Sequence, residues 1–299
     1  MQNRSPYLPL ALGVIAVSFS AVFIKLSTAP SLVIASYRQL FATLILAPIA
    51  WWRYRREIRG INRRNLLLMT AAGVFLALHF ATWISSFRYT TVAASTVLVS
   101  SQPIFVVILA RCLFRQRINR RQMFSILIAV AGSGIIGLVD SGPALGQSPL
   151  WGNTLALLGA AFGAGYFLCG QAVRRDLPVL PYAAIVYGIS ALTLVGFTLQ
   201  LDIPLATYRP LDFLLFLCLA LFCSVIGHSA LNWALAHMPA AAVGIAALGE
   251  PIGATIWAMI VFAEVPSFGQ LAGGSLILAG ILLFMQSSPA ANKGEPANK

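Results

Sequence analysis

The sequence predicts an all-α membrane protein with ten transmembrane helices in two inverted five-helix repeats. Three observations predict it. Of the 299 residues, 59% are hydrophobic and only 9% are charged, with a mean hydropathy of +0.85, whereas about a quarter of a soluble domain is charged. The Lys and Arg residues collect in short linkers between long apolar runs. The third observation is a repeat: residues 92–136 laid over 240–284 match at Ala93/Ala241, Ala94/Ala242, Pro103/Pro251, Ile108/Ile256, Ala110/Ala258, Phe114/Phe262, Gln122/Gln270, Ala131/Ala279 and Gly132/Gly280, all at an offset of 148.

A spanning helix needs about 20 apolar residues. Ten runs approach this length: 8–28, 32–53, 66–87, 91–113, 122–139, 150–172, 181–201, 211–235, 240–262 and 268–286. The first is long enough to be a crossing rather than a cleaved leader. Linkers are marked by Pro30, Pro143, Pro181, Pro210, Pro239 and Pro266, and the polar tail 287–299 is expected to be disordered. Residues 1–140 would form the first repeat and 150–286 the second. Five helices per unit is odd, so the second unit enters the membrane upside down, an architecture of transporters.

Charge sets the orientation. With the N-terminus in the cytoplasm, the cytoplasmic side holds Arg4, Arg53, Arg55, Arg56, Arg59, Arg63, Arg64, Arg111, Arg115, Arg117, Arg120, Arg121, Arg174, Arg175, Lys293 and Lys299, sixteen of the twenty basic residues. Lys25, Arg38, Arg88 and Arg209 remain, and Asp140, Asp202, Asp212 and Glu264 fall outside. Both termini are thus expected in the cytoplasm of a bacterial-type inner membrane, with the lipid bilayer as solvent. The net charge of +12 is accounted for by topology, so no nucleic-acid partner is expected. Cys112, Cys169, Cys218 and Cys223 have no metal-ligand spacing and read as packing residues. No nucleotide-binding loop or catalytic triad is present, so no cofactor, no resident metal and no enzymatic activity are expected.

Two breaks stand inside apolar runs: Ser100-Ser101-Gln102-Pro103 and Leu248-Gly249-Glu250-Pro251. Paired interruptions at corresponding places of two halves point to a transporter's binding site. Glu250 is the lone ionisable residue of 240–262 and stands near its middle, where a charge is costly and marks function. Beside these breaks, Ala21-Val22-Phe23-Ile24-Lys25 with Ala35-Ser36-Tyr37-Arg38, Tyr89 to Ala94 running on to Gln102-Pro103-Ile104-Phe105, and Leu248 to Pro251 with Phe262-Ala263-Glu264 and Gln270 are similar to the motifs of one family. The chain resembles the EamA-type ten-helix transporters of the drug/metabolite transporter superfamily, over nearly its whole length and in two copies. Gln102 and Gln116 depart from the family pattern, which makes strict symmetry of the two halves unexpected. The resemblance implies export of a small metabolite, an amino acid or related compound, through a central cavity.

Helical spacing then selects candidate cavity residues. His79 and Trp83 are four apart, as are His228 and Asn232, with Trp233 adjacent. Gln102, Glu250, Arg38, Tyr37 and Tyr166 complete the set. The histidines could bind substrate and carry protons, or bond helix to helix; both readings stand. A zinc site is disfavoured for want of a third ligand. Arg38 or a histidine is the expected partner of Glu250, and Lys25 is expected to reach to the outer interface. Gly159, Gly163 and Gly170 read as close-packing positions. The expectation is a secondary transporter of a small molecule working by alternating access, with protons as candidate coupling partner. The rivals are an exchanger of phosphorylated sugars or nucleotide-sugars, which would want more cations in the cavity, and, in a different class, an intramembrane enzyme or membrane receptor.

Overall fold

The computed structural model describes residues 7–114, 119–139, 148–174, 176–234, 236–237, 243, 246–247 and 249–286. Arg4, Arg115, Gln116, Arg117, Asp140, Pro143, Arg175, Pro239, Leu248, Lys293, Lys299 and the tail therefore lie outside the described residues. Among those described, the chain is helical and forms no strand. The elements are α1 (Tyr7–Ser18), α2 (Ser20–Leu26), α3 (Ser31–Arg53), the short α4 (Arg55–Arg59), α5 (Arg63–Ser86), α6 (Val92–Val99), α7 (Gln102–Phe114), α8 (Arg120–Val139), α9 (Pro149–Arg174), α10 (Val179–Gln200), α11 (Pro210–Cys218), a π-helical segment (Leu219–His228), α12 (Ser229–Ala234), α13 (Gly249–Phe262) and α14 (Phe268–Gln286). Six stretches are long and apolar enough to cross a membrane: Leu8–Leu26, Ser31–Arg53, Arg63–Ser86, Pro149–Arg174, Val179–Gln200 and Pro210–Ala234. Shorter apolar helices cover Val92–Val106, Gly249–Phe262 and Phe268–Gly280.

Local chemistry sets the helix starts. Asn62 Oδ1 accepts from Asn65 N at 2.8 Å ahead of α5, and Thr91 Oγ1 accepts from Ala94 N at 3.1 Å ahead of α6. Pro210 opens α11, where a missing N–H has no helical partner to lose. The apolar run 91–113 is split in two. Ser100 and Ser101 hydroxyls donate back to the carbonyls of Thr96 and Leu98, at 2.7 and 2.6 Å, and Pro103 falls in the first turn of α7. Pro251, at an offset of 148, falls in the first turn of α13 beside Glu250.

The helices pack α3 against α10, α5 against α9 and α10, α1 and α3 against the π-helical segment, α8 against α14, and α13 against α1 and α6. Side chains and glycines register two of these pairs. Ser36 meets Thr198 at 3.1 Å while Gly188 faces Thr43, so α3 and α10 run antiparallel. On α8 and α14, a Cβ at Gly132 would meet Gly273 O and Ile277, and one at Gly280 would meet Ser125 O and Ala129. These helices are antiparallel too, and the two contact sets are each other's mates at an offset of 148. The caps repeat with the same offset. Asn119 N donates to Gln122 Oε1 at 2.9 Å, and Ser267 N donates to Gln270 Oε1 at 2.9 Å; each is a capping box with glutamine at its third position.

Polar contacts gather at one end of the bundle, the end carrying Leu26, Ser86, Pro210 and Phe262. Asp212 accepts there from Ser27 Oγ at 2.8 Å and Thr28 N at 2.9 Å, and Arg88 donates to Ala29 O at 2.9 Å. The other end carries Arg53 to Arg64, Arg120, Arg121 and Arg174, and is called the basic end below. Outward faces keep large apolar side chains exposed, among them Leu12, Leu44, Leu192, Leu214 and Ile260, the dressing of a bundle whose solvent is lipid.

Glycines with and without neighbours give a matched stability test. A Cβ at Gly132 would lie 2.5 Å from Gly273 O, while one at Gly134 would meet nothing within 4 Å. Gly132→Ala is expected to destabilise the protein by about 1–3 kcal/mol through overpacking. Gly134→Ala should be neutral or stabilise by about 0.5–1 kcal/mol, through the entropy glycine loses on folding. Thermal melting of the two purified variants checks this; equal melting temperatures would contradict the crossing described.

Candidate functional site

Between the packed helices lies a cavity, partly open to its surroundings. Helix α5 brings His79 and Trp83 to it; the α6–α7 break brings Ser100, Gln102 and Pro103; α9 brings Gly163, Tyr166 and Phe167. The π-helical segment ends in the wall at His228, followed by Leu231, and Ala247 and Glu250 complete the far side. Along their helices Tyr166, Phe167, His228 and Leu231 stand nearer the basic end, and His79, Trp83, Val99 and Ser100 nearer the other, so the cavity spans the middle of the bundle.

The α6–α7 break places Gln102. Its side-chain amide donates to Gly163 O at 3.0 Å, across a helix that can come this close only at glycine. A Cβ on Gly163 would stand 2.8 Å from Gln102 Oε1 and 3.0 Å from His79 Nδ1. Gly159 and Gly170 are equally tight, against Trp83 and Tyr182. His79 Nδ1 donates to Gly159 O at 2.8 Å, and its ring stacks on Trp83 with centroids 5.7 Å apart. A buried histidine thus serves both helix contact and cavity wall. His228 Nδ1 and Trp83 Nε1 are buried without hydrogen-bond partners, and both belong to cavity-lining residues. The π-helical turn shifts the register of the chain ahead of His228, a distortion concentrated at functional sites.

Six of the ten candidates line the cavity: His79, Trp83, Gln102, Tyr166, His228 and Glu250. Four do not. Asn232 is buried behind the wall, exchanging hydrogen bonds of 2.9 and 2.7 Å with the Tyr166 hydroxyl, which it holds in place. Trp233 turns away to pack on His237, with centroids 4.1 Å apart. Tyr37 donates to Leu205 O at 2.8 Å and stacks on Phe216. Arg38 is fully buried: Nε donates to Ser224 Oγ at 2.9 Å, and the guanidinium lies 4.1 Å from the centre of the Phe80 ring, leaving Nη1 and Nη2 without partners. The expected pair of Glu250 with Arg38 or a histidine is absent. No hydrogen bond or ion pair joins the Glu250 carboxylate to another described residue, although the charge of Arg38 is coupled to it.

Lys25 also departs from expectation. Instead of reaching alone to the interface, its Nζ pairs with Glu264 Oε2 at 2.7 Å, and Glu264 Oε1 accepts from Val92 N, the first amide of α6, at 2.6 Å. Gln270 Nε2 donates to Thr91 Oγ1 at 3.0 Å alongside. These contacts tie α2, α6 and α14 together at the end opposite the basic one. A second pocket of about 540 Å³ lies there, lined by Lys25, Ser31, Ile34, Ile84, Phe87 and Arg88. Trp83 faces the first cavity and Phe87 the second, with ring centroids 5.4 Å apart. One helical turn of α5 therefore separates the two spaces. Ser100, Gly163 and Phe167 were not selected from the sequence as lining residues. Ser100 stood in the interrupted stretch, and Gly163 in the small-residue pattern of α9. Phe167 carries no signal that distinguishes it from a lipid-facing aromatic.

Such a bundle of long apolar helices around a cavity is that of a multi-pass membrane protein. The chain matches the EamA-like transporter family model twice, over residues 4–138 and 150–286, and belongs to that family. It is a transporter rather than an enzyme. It is 24% identical over 285 residues to an uncharacterized transporter of Archaeoglobus fulgidus, covering 94% of this chain and 97% of that one. It is also 24% identical to the pseudopaline exporter CntI of Pseudomonas aeruginosa, over 86% of each, and to the inner membrane protein YtfF of Escherichia coli, over 87% and 88%. A solved crystal structure superposes with a TM-score of 0.66 at 14% identity, covering 96% of this chain and 98% of the other, a likeness of fold alone.

Accessibility distinguishes wall from interior. On a background lacking the four native cysteines, His228→Cys should be labelled by a small water-soluble thiol reagent, and Arg38→Cys should resist it by at least tenfold in rate. Equal labelling rates would contradict the burial of Arg38 behind Phe80.

Proposed function

We propose that the protein is a ten-crossing secondary transporter that exports a small organic molecule across the inner membrane by alternating access between two inverted five-helix repeats, 1–140 and 150–286, with both termini and the tail 287–299 in the cytoplasm. The observation that carries the reading is the cavity, walled by α5, α6 and α7 from one half and by α9, the π-helical segment and α13 from the other. The antiparallel mates α3/α10 and α8/α14, and the caps and glycine contacts at an offset of 148, support the inverted repeat. The pseudopaline exporter among its relatives supports the outward direction. Exchange of phosphorylated sugars is disfavoured, because among the described residues no Lys or Arg lines the cavity.

On this reading the conformation faces inward. The Lys25–Glu264–Val92 contacts with the Trp83–Phe87 turn close the outer end. Glu250 stands unpaired at the α13 start, placed to exchange a proton with the cavity as substrate enters and leaves. The repeat interface would rock so that the outer contacts open as the inner ones close.

Three measurements test the proposal. Reporter fusions after Ser287 and in the 140–149 loop should read cytoplasmic and periplasmic respectively; a periplasmic tail would overturn the ten-crossing topology. In proteoliposomes, Glu250→Gln should retain its fold while transport loses its dependence on pH; wild-type rates with unchanged pH dependence would remove Glu250 from coupling. Lys25→Met should shift the population toward the outward-open state by about fivefold, for a partly buried pair contributing about 1 kcal/mol. Faster labelling of a cysteine at Ile34, which lines the outer pocket, reads this out; an unchanged rate would mean that the pair does not hold the outer end closed.

A further inference from the structure

We propose that the cavity recognises an organic cation, a protonated amine or quaternary ammonium on an apolar or aromatic body, with Glu250 as its counter-charge. This inference rests on the transport reading and names the substrate class of that same cavity. Its first support is the charge of the wall. Among the described lining residues Glu250 is the acid, and no Lys or Arg accompanies it. The carboxylate forms no hydrogen bond or ion pair with a described residue, so a ligand cation would displace no protein partner from it.

Arg38 is the fixed positive charge that acts on Glu250 and on both cavity histidines, but it does not line the cavity. Its guanidinium lies on the Phe80 ring, which in turn faces His79 at 5.0 Å and His228 at 5.5 Å between ring centroids. Phe80 thus contacts the guanidinium and both cavity histidines. The other groups on the surrounding elements that could meet an incoming charge are Tyr166 on α9, already bonded to Asn232, and Tyr187 on α10, whose hydroxyl lies 3.3 Å from Ser224 O. Lys25 on α2 is held by Glu264.

The second support is the face of the wall. Trp83 and His79 are stacked, and Tyr166 and Phe167 lie with centroids 5.5 Å apart. Ring faces attract a desolvated cation and disfavour an anion, and carboxylate with rings is the arrangement that holds ammonium groups in aromatic cages. Gln102, Ser100 and the unpartnered Trp83 Nε1 add neutral hydrogen-bonding positions for the body of the molecule. A free anion would meet like charge, and a zwitterion would satisfy its amine while leaving its carboxylate against rings.

The test uses three matched probes, phenethylamine, phenylalanine and phenylacetate, in calorimetric titration of the purified protein at one pH. Phenethylamine is expected to bind at least tenfold more tightly than phenylalanine, and phenylacetate more weakly still. Glu250→Gln should weaken amine binding at least tenfold, whereas Glu250→Asp, which keeps the charge, should stay within a few-fold of wild type and guards against misfolding. Equal or tighter binding of phenylalanine or phenylacetate, or full amine binding by a folded Glu250→Gln, would overturn the assignment. Proteoliposome flux separates the two readings. Amine that binds through Glu250 but is never moved would sink the transport reading and leave recognition standing. Phenylalanine flux indifferent to excess phenethylamine would do the reverse.

Discussion

A bilayer offers no hydrogen bonds, so every polar group inside it needs a partner within the protein or a wet cavity to face. That constraint explains where this chain breaks its helices. At the α6–α7 junction the hydroxyls of Ser100 and Ser101 turn back onto carbonyls of α6, and Pro103 sits where its absent N–H is not missed. Gln102, freed by the break, spends its amide on Gly163 O across the cavity wall. Among the described residues, Trp83 Nε1 and His228 Nδ1 are left without partners in the cavity wall, while Ser20 Oγ, the Gln39 amide, the Arg38 guanidinium and the Tyr182 and Ser190 hydroxyls are left so elsewhere in the bundle.

Close packing supplies the geometry. Helix α9 approaches its neighbours at glycines, so a polar side chain from α7 can reach a carbonyl on α9 and a histidine from α5 can reach another. The same small-residue logic joins α8 to α14 away from the cavity, where Gly132 and Gly280 make equivalent contacts with the opposite helix. Aromatic contacts join other positions, tilted between Trp83 and Phe87 and stacked between Phe19 and Trp257.

Much of this was legible in the sequence for identifiable reasons. The helices follow the apolar runs because lipid demands length, and the repeat was visible because Gln122/Gln270 and Gly132/Gly280 do the same physical work in caps and crossings. His79, Trp83, Gln102, His228 and Glu250 could be read as cavity residues because polar groups inside apolar runs are costly. Arg38 satisfied the same criterion yet lies behind the wall, since helical spacing does not reveal that Phe80 will cover it. Asn232 and Trp233 follow His228 on the chain, but the π-helical turn ahead of them and the close of α12 carry one to Tyr166 and the other to His237. The Lys25–Glu264 pair joins residues 239 positions apart, a distance no local pattern bridges.

The thinness of the wall between the two pockets has a mechanical consequence. Trp83 and Phe87 are four residues apart on α5, which at about 1.5 Å of rise per residue is roughly 6 Å along the helix axis. A molecule resting against Trp83 is already about one amino-acid length from the other compartment. On the proposed alternating access it need not be carried across the membrane at all: a tilt that parts two rings and one ion pair would move the boundary past it. The work of each cycle would then be done on the protein's own contacts, and the passenger would stay nearly still while inside and outside change places around it.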